Sequence, residues 1–270
     1  MRIASKAWTL YAGALAVALA GSGFGLAEWN HLRENSRIDA IAPICRVAVD
    51  SPVVALSIDD GPSPVYTPPL LDLLRAVDAR ATFFVLGETA ARYPELVRRE
   101  LRGGMELGNH TWSHRNLTGL NGRERRRELE RTQELLLSLG AGADRPKLAR
   151  PPFGEIDAGG LRVARDLELT VVRWSIAVEH YLGDLGMSPR RAAGAMAQAI
   201  RPGEIVLAHD GGGDRPRNRE RTVETLRLLL PELKAKGYRI VSVGELLREG
   251  PPVRSERGPW IWDADLTCRR

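Results

Sequence analysis

The sequence predicts an α/β fold, a parallel sheet covered by helices and either left open or closed into a barrel. Two observations carry this. From Val53 onward, strand-like and helix-like segments alternate, with no repeat or low-complexity block interrupting them. The polar residues that need explaining also fall where strands end: Asp59 and Asp60, His110 and His114, Arg150, Trp174, and His209 with Asp210. In parallel α/β architectures the carboxyl ends of the strands converge on one face, so residues remote in sequence become neighbours there. A length of 270 residues with 43% hydrophobic and 27% charged composition excludes disorder as the main state and suffices for one large domain or two small ones.

Taken in order, 53–58 is a short, continuous apolar run rich in β-branched residues and bounded by Pro52 and Gly61, which reads as a fully buried strand. Thr67 followed by Pro68 predicts an N-cap and a first-turn proline, opening a helix through Leu70, Leu71, Leu73 and Leu74. The segments 81–87 and 94–104 continue as strand and as a helix ended by glycine. A short strand at 105–111 precedes a long amphipathic helix from about Asn121 to Gly140. Then come an extended stretch at 147–152 closed by prolines, a strand at 169–174, and a helix capped by Ser188-Pro189. A strand at 204–209, a helix over about 219–236, a strand at 238–243 and a last helix near 244–248 complete the series.

The N-terminus stands apart from this pattern. Arg2 and Lys6 precede an uncharged run over 7–27, which predicts an export signal or a single membrane anchor and hence an extracytoplasmic protein, secreted or membrane-held. We divide the chain into this segment (1–27), a linker (28–50), one catalytic domain (51–250) and a C-terminal tail (251–270). In an oxidising compartment Cys45 and Cys268 either bridge the domain's entry to its tail or stand as two separate thiols. The formal charge of +5 rests almost wholly on scattered arginines. No basic stripe interleaves with aromatics, so a nucleic-acid partner is not expected.

Chemistry concentrates in four segments. In "HTWSH" (110–114), His110 and His114 are spaced i, i+4, which puts both imidazoles on one side if the chain turns helical after its strand. Such a spacing also suits capping or packing histidines. A carboxylate from another strand end would complete a two-His, one-carboxylate set, and three protein ligands leave a catalytic metal one open position. "IDDGP" (58–62) supplies two adjacent carboxylates, which repel each other unless a cation holds both ionised; one can bind the ion while the other takes a proton. "ARPPFG" (149–154) places Arg150 where its guanidinium can form a bidentate pair with Asp59, before a proline-fixed loop whose N–H groups can face an oxyanion. "VLAHDGGGD" (206–214) ends a strand with His209, suited to donating a proton to a leaving group. The glycines that follow lack the Lys-Ser/Thr of a phosphate-binding loop.

These segments resemble, in order, the motifs of the polysaccharide deacetylase family, also called the NodB-homology or carbohydrate esterase family 4 domain. "SIDDGP", "ATFFVLG", "GMELGNHTWSH", "RPPFG" and "IVLAHD" match from about Val53 to Leu247. The resemblance implies a distorted (β/α) barrel forming a single catalytic domain, with a divalent metal, most often zinc, bound by Asp60, His110 and His114. It also implies Asp59 as general base on a water at the metal, oriented by Arg150, and His209 as proton donor to the departing amine. The backbone N–H of Phe153 would stabilise the oxyanion, and Trp174 and Leu207 would line the substrate site. The implied substrates are acetylated polysaccharides, peptidoglycan- or chitin-like, and a monomer is expected.

One segment departs from the family. "WSIAVEHY" (174–181) stands where the family often has W-S-x-D-x-x-D-W, so Ala177 and His180 replace carboxylates and Tyr181 a tryptophan. His209 then lacks its usual partner or uses another, such as Glu179 or Asp184. The departure keeps two further readings open beside N-deacetylation: an O-acetyl xylan esterase, and a glycan-binding protein of the same fold that has lost turnover. In the tail, Trp260 and Trp262 either stack on sugar rings or pack back on the domain.

Overall fold

The computed structural model describes residues 41–142, 147–212 and 217–255. The chain divides into units 1–41 and 42–270, and the second carries everything below. The apolar run at 7–27, Cys268, Trp260 and Trp262 lie outside the described residues.

The central strand, β2 (Val53–Asp59), is buried at every position. Alternation explains why its sequence is apolar throughout. Val54, Leu56 and Ile58 pack into one hydrophobic cluster with the helices, and Val53 and Ala55 into another on the opposite face of the sheet. Ser57 and Asp59 continue the second set. All pairings of this sheet are parallel. β2 lies between β8 (Ile205–His209) on one edge and, on the other, β3 (Thr82–Val85) and β9 (Arg239–Val241). Beyond β3 follow β4 (Glu106–Asn109), β5 (Leu148–Ala149) and β6 (Thr170–Val171), while β7 (Ile176–Ala177) flanks β8.

The two outermost strands, β6 and β7, are joined directly through 172–175 with no crossover helix. Two parallel edge strands so joined require the sheet to have curled until its edges approach, which makes it an incomplete barrel. β1 (Ile44–Val47) sits at the seam, with bridges from Ile44 to Val172 and from Arg46 to Glu204. β1 also pairs antiparallel with β10 (Pro252–Arg254). The folded unit therefore extends past both expected bounds of 51–250, because Ile44, Cys45 and Val47 fill the seam and are buried there.

The helices are α1 (Thr67–Ala76), α2 (Gly87–Arg92), α3 (Pro94–Arg102), α4 (Gly122–Ser138), α5 (Ala158–Asp166), α6 (Pro189–Ala199), α7 (Glu220–Ala235) and α8 (Val243–Leu246); α2 and α5 are additions to the expected series. Asn121 and Glu124 form a capping box on α4, and Ser188 caps α6 ahead of Pro189. Thr67 is not the cap of α1. It is the first helical residue, and its hydroxyl accepts from Ser63 N (2.7 Å) and donates to the buried Asp210 carboxylate.

Candidate active site

Asp59 closes β2 on the inner face and is 2% exposed. Arg150, just past β5, is fully buried. Its Nη1 donates to Asp59 Oδ1 (2.8 Å) and Ser57 Oγ (2.8 Å), Nη2 donates to Arg173 O (2.7 Å), and the guanidinium lies 4.2 Å over the Phe84 ring. The expected bidentate pair is thus a single hydrogen bond, because the other donors are taken by backbone carbonyls and Ser57. Burial pulls the Arg150 pKa below its ordinary value, and Asp59 opposes that pull.

In a regular strand Asp60 would point away from Asp59. A left-handed backbone at Asp60 (φ 77°) breaks the alternation and brings both carboxylates to one site. His110 Nε2 then lies 3.9 Å from Asp59 Oδ2 and 3.3 Å from Asp60 Oδ1, and His114 Nε2 is 3.2 Å from Asp60 Oδ1. Gly211 makes this placement sterically feasible, since a Cβ there would stand 2.0 Å from Asp60 O. Gly211 accordingly serves close backbone approach.

The two histidines do not converge through a helix, as the i, i+4 spacing suggested. The segment after β4 is irregular, and positive φ at Thr111 (70°) and His114 (60°) turns the rings inward. The Glu128 carboxylate holds that turn by accepting from Trp112 N (3.0 Å), Ser113 N (2.9 Å) and Ser113 Oγ (2.8 Å). His110 Nδ1 lies 2.8 Å from Arg150 O and donates to it, which fixes the ring with Nε2 turned toward Asp60.

One ligand atom from each of Asp60, His110 and His114 lies within 4.8 Å of the others, and Asp60 Oδ1, though buried, has no hydrogen-bond partner. Burial pushes the Asp60 carboxyl up, but the His110 and His114 contacts outweigh it and hold it well below the ordinary carboxylate range. An ionised carboxylate oxygen and two imidazole nitrogens around an orphaned position fit a divalent cation.

His209 ends β8 level with Asp59 on the neighbouring parallel strand and lines the same cleft. Its Nδ1 is 3.0 Å from Glu179 Oε2, an ion-pair contact more than an aligned hydrogen bond. Burial pulls the imidazole down, but Glu179, aided by Asp60 and Asp59, raises its pKa to about 9. Glu179 is therefore the partner that the altered 174–181 segment supplies. The other candidate, Asp184, pairs with His180 Nδ1 at 2.9 Å and is exposed. Glu179 is itself fixed by the Thr222 hydroxyl (3.0 Å) and Arg219 Nη1 (3.7 Å). Burial pushes the Glu179 carboxyl up, and His209, Arg219 and Thr222 bring it below its ordinary value.

Sequence reasoning missed Arg219, read only as the start of a helix. It is buried, donates to Gly211 O (2.6 Å), and sets Nη2 3.3 Å from Asp60 Oδ2. It thereby links Asp60 to the Glu179–His209 pair. A basic residue in a loop carries no local signal of such a role.

The 151–155 turn forms another wall. Phe153 adopts φ 61°, is 43% exposed, and packs its ring 4.8 Å from that of His114. Arg173 Nε donates to Gly154 O (2.9 Å), and Gly154, at φ 71°, leaves room for Trp174, which a Cβ would approach to 2.9 Å. Asp59, Asp60, His110, His114, Phe153, Trp174, Leu207 and His209 all line one cleft of ≈ 500 Å³; Arg150 lies behind it.

The sequence profile of the family described as polysaccharide deacetylase matches residues 46–172. A peptidoglycan-N-acetylglucosamine deacetylase of Bacillus cereus is 36% identical over 204 residues, covering 73% of this chain and 88% of that one. The chain belongs to the polysaccharide deacetylase family. A chitooligosaccharide deacetylase of Sinorhizobium fredii is 32% identical over 214 residues, covering 77% of this deacetylase-family chain and 97% of the relative. The crystal structure of the Bc1960 peptidoglycan N-acetylglucosamine deacetylase, in complex with 4-naphthalen-1-yl-N-oxidanyl-benzamide, superposes with a TM-score of 0.69 at 34% identity. The superposition covers 79% of this chain and 96% of that structure. The curled parallel sheet is thus the distorted barrel of the family, formed by a single catalytic domain.

Proposed function

We propose that this chain removes N-acetyl groups from an N-acetylglucosamine-containing envelope polysaccharide, with zinc held by Asp60, His110 and His114. The observation that carries the reading is the gathering of those three ligand atoms within 4.8 Å in a cleft that Asp59 and His209 also line. Bound there, a divalent cation polarises the acetamide carbonyl and favours ionisation of water.

The chain's own residues supply the rest. Asp59, kept in place by Arg150 and Ser57, takes the proton of the attacking water. Arg150 already spends its donors on Asp59, Ser57 and carbonyls, so it positions the base without touching substrate. The Phe153 N–H faces the carbonyl oxygen as it gains charge, on a turn whose left-handed backbone Arg173 holds through Gly154. Leu207 and Trp174 offer apolar surface to the acetyl methyl group. His209, kept protonated by Glu179, delivers a proton to the nitrogen as the C–N bond breaks. Free amine and acetate leave.

The basic N-terminus and the uncharged run at 7–27 support placing the enzyme outside the cytoplasm, secreted or held by a single anchor, and we take it to act as a monomer. The test is acetate release from N-acetylated peptidoglycan, chitin oligomers and acetylated xylan by the purified chain, before and after chelation and after zinc is restored. Release from the glucosamine polymers that vanishes with chelator and returns with zinc is expected. Release from xylan alone would make the enzyme an O-acetyl esterase, and bound zinc without turnover on any glycan would overturn the catalytic reading.

A further inference from the structure

The segment that enters α7 builds one wall of the cleft and brings Arg217, Arg219 and Arg221 to it. Asn218 pins that wall: its Oδ1 accepts from the Tyr66 hydroxyl (3.3 Å) and from Glu220 N (2.8 Å). The three arginines differ in what they bind. Arg219 is spent on Asp60, Glu179 and Gly211. Arg217 and Arg221 are exposed, and among the described residues neither has a carboxylate within ion-pair distance; Arg221 donates to Met187 O (2.6 Å).

The carboxylates of the cleft are, by contrast, all matched. Asp59 pairs with Arg150, Asp60 with its histidines and Arg219, Glu179 with His209, and Asp184 with His180. The charge left over is therefore positive, and it sits on two planar guanidinium forks shaped for carboxylate or another oxyanion. A polymer passing through the cleft with its acetamide at Asp59 and His209 lays a neighbouring sugar along this wall. A chitin-like chain offers it only hydroxyl and acetamide groups. A chain that alternates N-acetylglucosamine with N-acetylmuramic acid offers a lactyl carboxylate wherever the muramic acid carries no peptide.

We propose that Arg217 and Arg221 form a subsite for a carboxylate on the sugar adjoining the reacting N-acetylglucosamine, so that the substrate is an acidic glycan and not a neutral one. This rests on the proposed deacetylase reading and names its substrate class.

The test is calorimetric binding to the full-length, zinc-loaded Asp59→Asn chain, in which turnover is stopped. The probes are a tetrasaccharide of alternating N-acetylglucosamine and N-acetylmuramic acid and the same tetrasaccharide with its lactyl carboxyls amidated. The acidic form is expected to bind about tenfold tighter at low salt, with the preference shrinking at high salt. Adding Arg217→Gln and Arg221→Gln removes that preference, and Lys at both positions keeps part of it. Equal affinity for the two forms, no measurable binding of either, or a preference that survives the Gln pair overturns the subsite. Because binding is read without turnover, a preference for the acidic form in the Asp59→Asn chain together with no acetate release by the unsubstituted chain refutes the proposed reaction and not the subsite. A working deacetylase without the preference refutes the subsite alone.

Discussion

Replacing Glu179 with Gln removes the carboxylate that keeps His209 protonated and leaves the burial that opposes it. In the wild type the His209 pKa stands at about 9 against an ordinary 6.5, with Glu179 the largest influence in its favour. That difference, at 1.36 kcal/mol per unit, is roughly 3 kcal/mol of preference for the protonated form. Without Glu179, Asp60 and Asp59 alone stand against burial, and the pKa returns to about the ordinary 6.5. At pH 8 the protonated share of His209 then drops from about nine-tenths to about three-hundredths, a loss of roughly thirtyfold in kcat/KM; at pH 6 the loss is less than about twofold. The assay is a pH profile of kcat/KM for acetate release by both proteins. The alkaline limb moves down by about two units or more in the variant. Linkage gives a second reading. A raised histidine pKa contributes stability that is complete below pH 6.5 and is lost as pH rises through about 9. The wild type should lose urea stability across that window more steeply than the variant. An alkaline limb that stays in place, or a loss of rate equal at every pH, would refute the view that Glu179 acts by holding the His209 proton.

Other perturbations follow from the same geometry. Arg150→Met leaves Asp59 buried without its cation and Ser57 and Arg173 O without their donor, so unfolding free energy falls by roughly 3–5 kcal/mol. A melting temperature within a couple of degrees of wild type would contradict this. Gly211→Ala drives a Cβ toward Asp60 O and displaces the cation-binding carboxylate, lowering zinc affinity by about tenfold or more in a competition titration with a chelating dye. Undiminished affinity would show that the approach is relieved elsewhere. Glu100 is fully buried with neither carboxyl oxygen hydrogen-bonded, and burial raises its pKa well above the usual value. A raised carboxyl pKa is a stability contribution present below about pH 4.5 and lost as pH rises, so Glu100→Leu stabilises the fold by roughly 1–3 kcal/mol at pH 8 and by less near pH 4.5. Urea unfolding at both pH values measures it, and a variant less stable at pH 8 would mean that the carboxylate has a partner in solution.

Much of this protein was legible in the chain because the relevant signals are local. The apolar run of β2, the capping box at Asn121 and the Ser188-Pro189 start of α6 each depend on a few neighbouring residues. The strand-end positions of Asp59, Asp60, His110, His114, Arg150 and His209 were readable for the same reason, since strand and helix alternation implies a parallel sheet and a parallel sheet gathers those ends. What local pattern does not contain is register, seam and backbone sign. The left-handed residues at Asp60, Thr111 and His114, which aim the side chains of the candidate cation site, have no sequence signature in ordinary L-residues. β1 and β10 lie outside the expected domain because only a curled sheet has a seam for them to fill. Glu179 became the partner of His209 through register: β7 runs parallel to β8 with Ala177 opposite Leu207, which carries residue 179 level with residue 209. The sequence by itself determined the alternating strands and helices of the central sheet and which chemical groups stand at the strand ends. The tertiary structure decided which of those groups meet, because a contact between residues far apart in the chain depends on how the sheet is ordered, registered and curled.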